Sequence, residues 1–313
     1  MARSGTPSPL SWPPRILGAG GLLLVALVLA RPAAAAPVIL LEGKFAQYRE
    51  AAAAAHRHIP DALEVDLQDA DASEKLEKAS LVVAVGQRAL ARAREQTGVP
   101  VVFCMVIGAA RAALAENVTG VPVEPDPASV FRHIKAVVPA VRRLGLIYNP
   151  KSAELWAPEA LRAASAHGLS LVTREVPSPA GVKDALDEIA GKIDALWLPA
   201  DPKLYTKDLF AFLLGFCAER RLPLFGFLES FTEAGALASI SPDYADVGER
   251  AGKLAAGLLA RPPTKRLPGP GPVFAPGNLS VNLNTATVLG IDIPPEAITH
   301  AKKTFAEPAG SHP

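Results

Sequence analysis

Short, uninterrupted apolar runs alternate with longer segments of helical spacing from residue 38 onward, and this alternation is the strongest constraint on the fold. Strands without polar alternation are typical of a parallel sheet that helices cover on both faces. Repeated β–α alternation therefore predicts an α/β protein with doubly wound layers. The predicted strands are residues 38–41, 63–67, 81–85, 99–106, 118–121, 144–148, 169–176, 195–198, 222–227 and 236–240. The predicted helices are residues 45–58, 87–96, 127–138, 153–167, 179–192, 204–220 and 244–260.

The number of strands predicts two lobes. Ten parallel strands are many for one open sheet, whereas two sheets of about five strands are ordinary. Breaks rich in turn formers occur at residues 117–127, 231–235 and 261–276, so we expect three segments to cross between the lobes. The predicted first lobe takes residues 36–120 and 236–268, and the second takes 121–235 and 269–290. Residues 291–313 are expected to form a C-terminal helix and a loose tail.

The N-terminus has the pattern of a secretory signal peptide. Arg3 and Arg15 precede an apolar stretch at residues 16–30, and small residues at 33–36 suit cleavage after Ala35. The alternative, an uncleaved membrane anchor, is disfavoured because the stretch is shorter than the roughly 20 residues that span a bilayer. We therefore expect residues 1–35 to be removed and the protein to lie in the periplasm or extracytoplasmic space.

Charge argues against a polyanionic partner. The whole chain has 32 basic and 31 acidic residues, and residues 1–35 contain three arginines and no acid. The remaining 29 basic and 31 acidic residues give a net charge near −2. Because such a surface has no broad basic field, we expect no nucleic-acid partner.

No pattern in the sequence indicates catalysis. The chain lacks a G-x-S-x-G elbow, a Walker loop, a dinucleotide fingerprint and an H-E-x-x-H motif. His56 and His58 are two apart on a predicted helix, which puts them on different faces. We therefore expect no enzyme activity, no cofactor and no metal. Cys104 and Cys217 are expected to be buried free thiols, with a disulfide as the alternative in an exported protein.

Ligands of doubly wound sheets bind beyond the carboxyl ends of the strands. Gly86 and Gln87 follow the strand 81–85 and open a helix, whose free N–H groups receive a ligand carboxylate or simply form a plain first turn. Asn149 follows the strand 144–148 and either faces the ligand or initiates the Asn-Pro turn. Ser152 is predicted to cap the next helix and to reach the ligand as well.

Other candidate contacts follow further strands. Asp201, after the strand 195–198, either pairs with a ligand ammonium or caps the helix after Pro202. Phe227 either stacks on a planar ligand or packs in the core, and Glu229 either contacts the ligand or is solvated. Three further wall candidates are Glu42, Gly43 and Met105.

Six segments of the chain occur together in one known family. They are NVTGVPVEP (117–125), RLGLIYNP (143–150), DALWLPAD (194–201), LPLFGF (222–227), GALASISPDY (235–244) and VNLNTATVLGIDIP (281–294). In this order they resemble the ABC-transporter substrate-binding proteins of the type I periplasmic fold, in the group that includes binders of aromatic amino acids. The resemblance covers about residues 80–305. It implies two flavodoxin-like lobes, three linker strands and a ligand gripped between them, and it favours ligand contact for Asp201.

Two loops depart from the family pattern. Residues 41–48 read LEGKFAQY, where the family usually has a polar loop with His or Asp, and residues 151–156 read KSAELW, where it often has Asn-Ser. Because these loops would touch the ligand, the resemblance leaves the identity of the ligand open.

The sequence and the resemblance together predict a solute-binding protein. We expect a monomer that captures a small polar ligand, such as an amino acid or a related zwitterion, and delivers it to an ABC-transporter permease. Its hinge is expected near residues 120–121, 231–235 and 267–271. One alternative is an extracytoplasmic sensor domain that presents its ligand to a receptor. A second alternative, a secreted hydrolase, lacks support from any catalytic motif.

Overall fold

The first of two sheets contains the N-terminal strands. The computed structural model describes residues 1–2, 35–109, 116–201, 203–262 and 271–306. Five parallel strands pair in the order β2-β1-β3-β4-β5. These strands are β1 (Val38–Leu41), β2 (Leu63–Asp66), β3 (Val82–Val85), β4 (Val101–Cys104) and β5 (Val118–Val121). The helices between them are α1 (Ala46–His56), α2 (Ala72–Glu77) and α3 (Gln87–Gln96).

The second sheet has seven strands in the order β12-β11-β10-β9-β8-β6-β7. They are β6 (Arg143–Tyr148), β7 (Ser170–Glu175), β8 (Ala195–Trp197), β9 (Leu224–Gly226), β10 (Ala238–Pro242), β11 (Gly277–Asn282) and β12 (Lys303–Phe305). Among the strand pairs that the described residues form in this sheet, only β10–β11 is antiparallel. The helices of this part of the chain are α4 (Pro127–Val137), α5 (Trp156–Ala166), α6 (Val182–Ile189), α7 (Lys207–Glu219), α8 (Glu229–Glu233), α9 (Tyr244–Leu259), α10 (Leu283–Leu289) and α11 (Pro295–His300).

Each sheet is covered on both faces, as its continuous apolar strands require. The residues of β1, β3 and β4 are fully buried, and they divide between two hydrophobic clusters, one on each face of the first sheet. The second sheet likewise lies between two clusters, one containing α4 and α5 and the other α6 and α7. The prediction of two doubly wound α/β lobes is therefore confirmed. We call these the first and the second lobe.

Helix α9 belongs to the first lobe, although the strands before and after it belong to the second. Its residues Val247, Ala251 and Ala255 share a hydrophobic cluster with Ala51 and Ala55 of α1. The helix begins at Tyr244 because the Asp243 side chain accepts a hydrogen bond from the N–H of Asp246 at 3.0 Å. Asp243 is thus a helix cap, as its position in the sequence indicates.

The lobe boundary at β10 differs from the prediction, which placed residues 236–268 together in the first lobe. Ala238 and Ser239 pair with β9, and the whole of β10 pairs with β11, so this strand lies in the second sheet. The chain therefore returns to the first lobe at residues 242–244 rather than at 231–235. Local apolar character predicts a strand but does not determine which sheet it joins.

Two of the crossing segments run side by side. Val273 donates a backbone hydrogen bond to Gly120, and Asp126 donates one to Ala275, at 2.9 and 2.7 Å. A parallel bridge joins Pro125 to Ala275. Residues 263–270, with most of the third expected hinge segment, lie outside the described residues.

Several sequence-based predictions have direct outcomes in the fold. All ten predicted strands are present, and Cys104 and Cys217 are buried free thiols, as predicted. Ser152 does not cap a helix, because α5 begins four residues later, at Trp156. The predicted signal peptide lies almost entirely outside the described residues. None of the helices in the described ranges is both long enough and apolar enough to cross a membrane.

Candidate ligand-binding site

A cleft of about 430 Å³ lies where the two lobes face each other. Its volume is in the usual range for sites that bind small molecules. It lies beyond the carboxyl ends of β3 and β4 in the first lobe and of β9 and β10 in the second, as expected for doubly wound sheets. The residues that line it are Gln47, Tyr48, Gln87, Met105, Ile107, Gly108, Val123, Lys203, Phe227, Leu228, Pro242 and Tyr244.

The first-lobe wall is built around the turn from β3 into α3. Gly86 has φ of +96°, and an added Cβ atom would lie 2.6 Å from Cε2 of Tyr48, so only glycine fits this turn. Gly86 is also the N-cap of α3 and provides no side chain to the first N–H groups of the helix. The helix therefore starts beside Gln87 and Tyr48 with a partial positive charge, which suits an anionic group.

The second-lobe wall is aromatic and apolar, apart from Lys203. Phe227 follows β9, and its ring packs edge-to-face on Phe231 at a centroid distance of 5.4 Å. Phe231 in turn stacks on Phe210 of α7 at 4.0 Å. Phe227 is therefore held by a chain of aromatic contacts where it lines the cleft.

Two buried carboxyl groups lie close together beside the cleft. Glu124, in the first crossing segment, accepts a hydrogen bond from the N–H of Gly108 at 2.5 Å. Asp201, after β8, accepts hydrogen bonds from the N–H groups of Lys203 and Leu204 at 3.1 and 3.0 Å, and another from the hydroxyl of Ser152. Burial, with a smaller contribution from the nearby Asp201 carboxylate, raises the pKa of Glu124 to about 7, against the opposing effect of the hydrogen bonds that Glu124 accepts from backbone N–H groups, including that of Gly108.

The lobes touch at this carboxyl pair. Gly108 follows β4 of the first lobe and has φ of +59°. An added Cβ atom there would lie 3.1 Å from Cβ of Ser152, which follows β6 of the second lobe. Gly108 thus binds Glu124 through its N–H group and packs on the residue that binds Asp201. Any separation of the lobes must break this contact.

Three of the ten predicted site residues, Gln87, Met105 and Phe227, line the cleft. Gly86 lies behind Tyr48 at the cleft wall. Ser152 and Asp201 are bonded to each other next to the cleft, and Asp201 is only 1% exposed.

The structure places the other four predicted residues in contacts of their own. The buried carboxylate of Glu42 forms ion pairs with Lys44 and Arg88 at 2.7 Å. The N–H of Gly43 donates to Asp66 at 2.7 Å. Asn149 donates from its side chain to the carbonyl of Pro177 and accepts from the N–H of Lys151, as a turn residue does. Glu229 forms an ion pair with Lys303 at 2.8 Å.

Sequence reasoning missed the cleft residues that do not follow a strand. Gln47 and Tyr48 lie in the first turn of α1, and Tyr244 begins α9. Glu124 carried a usable signal, because it is an acidic residue between Val123 and Pro125 in a crossing segment that is otherwise mostly apolar and proline-rich.

Comparison with known proteins identifies the family. A family model described as ABC transporter substrate binding protein matches residues 68–305, which is more than half of the chain. A tyrosine-binding protein of Clostridioides difficile strain R20291 is 25% identical over 128 residues. That match covers 40% of this chain and 36% of the relative, so the chain matches only about a third of the relative's length.

Solved structures share the fold at low sequence identity. The ABC domain in complex with L-Trp from Streptococcus pneumonia is 22% identical with a TM-score of 0.58, and the match covers 86% of this chain and 99% of that chain. A ligand-free, open substrate-binding protein with adhesive properties from Clostridium difficile is 18% identical with a TM-score of 0.59, covering 87% and 99%. The family match, with the two-lobed fold, shows that this chain belongs to the ABC transporter substrate-binding proteins.

Proposed function

We propose that this protein is an extracytoplasmic solute-binding protein that holds an amino acid or a related zwitterion between its lobes and delivers it to the permease of an ABC transporter. The observation that carries the proposal is the cleft of about 430 Å³ at the carboxyl ends of strands from both lobes. The predicted signal peptide at residues 1–35 supports export. Relatives named for binding tyrosine and L-Trp support an amino acid as the ligand.

The two sides of the cleft suit the two charges of a zwitterion. The first turn of α3, which starts at Gly86 without a capping side chain, would receive the carboxylate. Asp201 and Glu124 lie on the other side, and within the described residues neither forms a salt bridge. An ammonium group placed near them would gain from both carboxyl groups, and Phe227 would cover the side chain of the ligand.

Ligand capture would proceed by closure of the two lobes. Contacts that reach the ligand from both lobes exist only in the closed form, so the ligand shifts the population toward closure. The paired crossing segments at residues 119–126 and 271–276 and the crossing at residues 242–244 would act as the hinge. The closed, monomeric protein would then dock on the permease.

Thermal unfolding in the presence of amino acids, nucleosides, sugars and vitamins tests the ligand class. A ligand present at about 100-fold its Kd adds about 2.7 kcal/mol to the stability of the folded state. We expect this increase for one or more amino acids and for none of the other classes. Stabilisation by a sugar or a nucleoside alone would contradict the zwitterion assignment.

Asp201→Asn tests the ammonium site without removing the backbone contacts, because the amide oxygen of asparagine still accepts from Lys203 and Leu204. We expect the affinity for the stabilising amino acid to fall about 10- to 100-fold, as for loss of a charged hydrogen bond. Asp61→Asn, on the surface between α1 and β2, serves as the matched control. Equal affinities in the two variants would remove Asp201 from the site.

A further inference from the structure

Glu124 is attached to the first lobe by two hydrogen bonds. Its neighbour Val123 donates a backbone hydrogen bond to the carbonyl of Val106 at 3.2 Å, and its carboxyl group accepts one from the N–H of Gly108 at 2.5 Å. Val106 and Gly108 both follow β4. The side chain of Glu124 is therefore fixed to the loop at the carboxyl end of that strand, and it would stay with this loop if the lobes separated.

The second lobe covers the carboxyl group of Glu124. Trp156, Trp197, Pro199 and Phe227 of that lobe line a space of about 10 Å³ together with Glu124. Such a space holds about one water molecule, so a carboxylate there lacks most of the hydration that an ion needs. Glu124 is only 5% exposed. Separation of the lobes would remove the rings and admit water to this group.

The charged group that faces Glu124 from the second lobe is Asp201. Lys203 lies two residues further on, binds Asp201 through its backbone N–H and lines the cleft. On the segment of Glu124 itself, Asp126 accepts from two N–H groups of the first turn of α4. The first lobe contributes the uncharged Gly108. Within the described ranges, neither Glu124 nor Asp201 has a cationic side chain at salt-bridge distance.

We propose that Glu124 and Asp201 form a pH-dependent switch of lobe closure. A proton on Glu124 keeps the lobes in contact in the empty protein, because only one of the two facing groups is then charged. Loss of that proton puts two like charges on opposite sides of the contact and separates the lobes. The inference rests on the lobe movement of the proposed function, but not on the class of ligand.

The direction of the pH effect follows from the two environments of Glu124. Burial, with the nearby Asp201 carboxylate, raises its pKa to about 7 while the lobes are in contact. In the open protein water reaches the carboxyl group, so its pKa falls toward the usual value of about 4.3. Opening therefore releases a proton between these two values. The ratio of open to closed protein should rise up to about tenfold per pH unit there and become constant above about pH 8.

Small-angle X-ray scattering of the ligand-free protein, purified from cells that express the full chain, tests the switch. We expect the radius of gyration to increase as the pH is raised from about 5 to about 8, and to decrease again when the sample is returned to the lower pH. A radius of gyration that stays constant across this range would overturn the proposal.

Three variants assign the effect to the two carboxyl groups. Glu124→Gln keeps an oxygen that accepts from Gly108 but does not titrate, so its radius of gyration should not depend on pH. Glu116→Gln, at an exposed position just before β5, is the control and should respond as the native sequence does. Asp201→Asn removes the facing charge and should reduce the response, and it serves as the test if Glu124→Gln does not fold. A native response in both Glu124→Gln and Asp201→Asn would refute the switch.

Added ligand separates the switch from the proposed function. An equimolar mixture of the standard amino acids at millimolar concentration is added at about pH 8, where Glu124 has lost its proton. Compaction by the mixture, with no effect of pH on the empty protein, would leave ligand-driven closure intact and overturn the switch. An effect of pH without compaction by the mixture would support the switch and contradict the amino-acid assignment.

Discussion

Gly248 of α9 lies directly on the backbone of Ala51 in α1, so that an added Cβ atom would be 2.1 Å from the carbonyl oxygen of Ala51. One turn later, a Cβ atom on Gly252 would be 2.5 Å from the carbonyl oxygen of Ala55. The two helices therefore pack at backbone contact along this line. This close approach attaches α9 to the first lobe.

Gly248→Ala should lower the free energy of unfolding by about 2 to 3 kcal/mol, because a methyl group has no space between two rigid helices. Gly257→Ala on the same helix is the control. No described atom lies within 4 Å of its added Cβ, and alanine favours a helix over glycine by up to about 1 kcal/mol. Urea unfolding of both variants measures the difference. Equal stabilities of the two variants would show that α9 does not pack on α1 at this distance.

The stability of the protein should fall as the pH rises toward neutral because of Glu124. Its pKa is raised to about 7 in the folded protein, and a glutamate in an unfolded chain has a pKa of about 4.3. Since the folded state binds the proton more tightly, this contribution is complete below the unfolded pKa and is lost as the pH rises through about 7. The difference between the two pKa values corresponds to about 4 kcal/mol.

Comparison with Glu124→Gln isolates this contribution, since the other titrating groups are shared. We subtract the free energy of unfolding of the variant from that of the native sequence. This difference should fall by about 2 to 3 kcal/mol between pH 5 and pH 8. Urea unfolding at the two pH values measures it. If the difference is constant across this range, the pKa of Glu124 is the same in the folded and the unfolded protein.

Gly86→Ala should weaken ligand binding tenfold or more. The substitution forces a side chain into a turn with φ of +96° and displaces the ring of Tyr48 from the cleft wall. Gly98→Ala, just beyond the other end of α3, is the control, because its added Cβ meets no described atom within 4 Å. Calorimetric titration of the bound amino acid compares the two variants. Unchanged affinity in Gly86→Ala would place the ligand away from this turn.

Neither thiol should react with a disulfide reagent such as Ellman's reagent while the protein is folded. Burial raises the pKa of both Cys104 and Cys217 to about 12, so almost no thiolate is present at neutral pH, and both sulfurs are shielded. Two equivalents should react after denaturation in guanidinium chloride. Absence of reaction in the denatured protein would indicate a disulfide instead.

Much of the fold could be predicted because buried parallel strands are continuous apolar runs. All ten such runs are strands, and β3 and β4 are buried at every residue. The missed strands β11 and β12 lie at the outer part of the second sheet, where Asn278 and Lys303 interrupt the apolar pattern. The sheet that β10 joins depends on pairing with distant strands, about which its local sequence carries no information.

The candidate site was predicted only in part, for a related reason. The expectation that ligands bind at strand ends selects Gln87, Met105 and Phe227, which line the cleft, because the end of a strand is visible in the sequence. Tyr48 and Tyr244 reach the cleft through the packing of α1 and α9, which brings together residues almost two hundred positions apart. The burial of Glu124, which raises its pKa, depends on how distant segments pack around it, and the local sequence does not show that packing.

The insertion of α9 between β10 and β11 also bears on how the chain acquires its structure. The apolar face of α1 that contains Ala51 and Ala55 stays uncovered until residues 247–258 are available. A nascent chain that ends before residue 244 therefore lacks a helix of the first lobe and cannot complete that lobe. Until α9 is available, a partly synthesised chain lacks the contacts that complete this cluster of the first lobe.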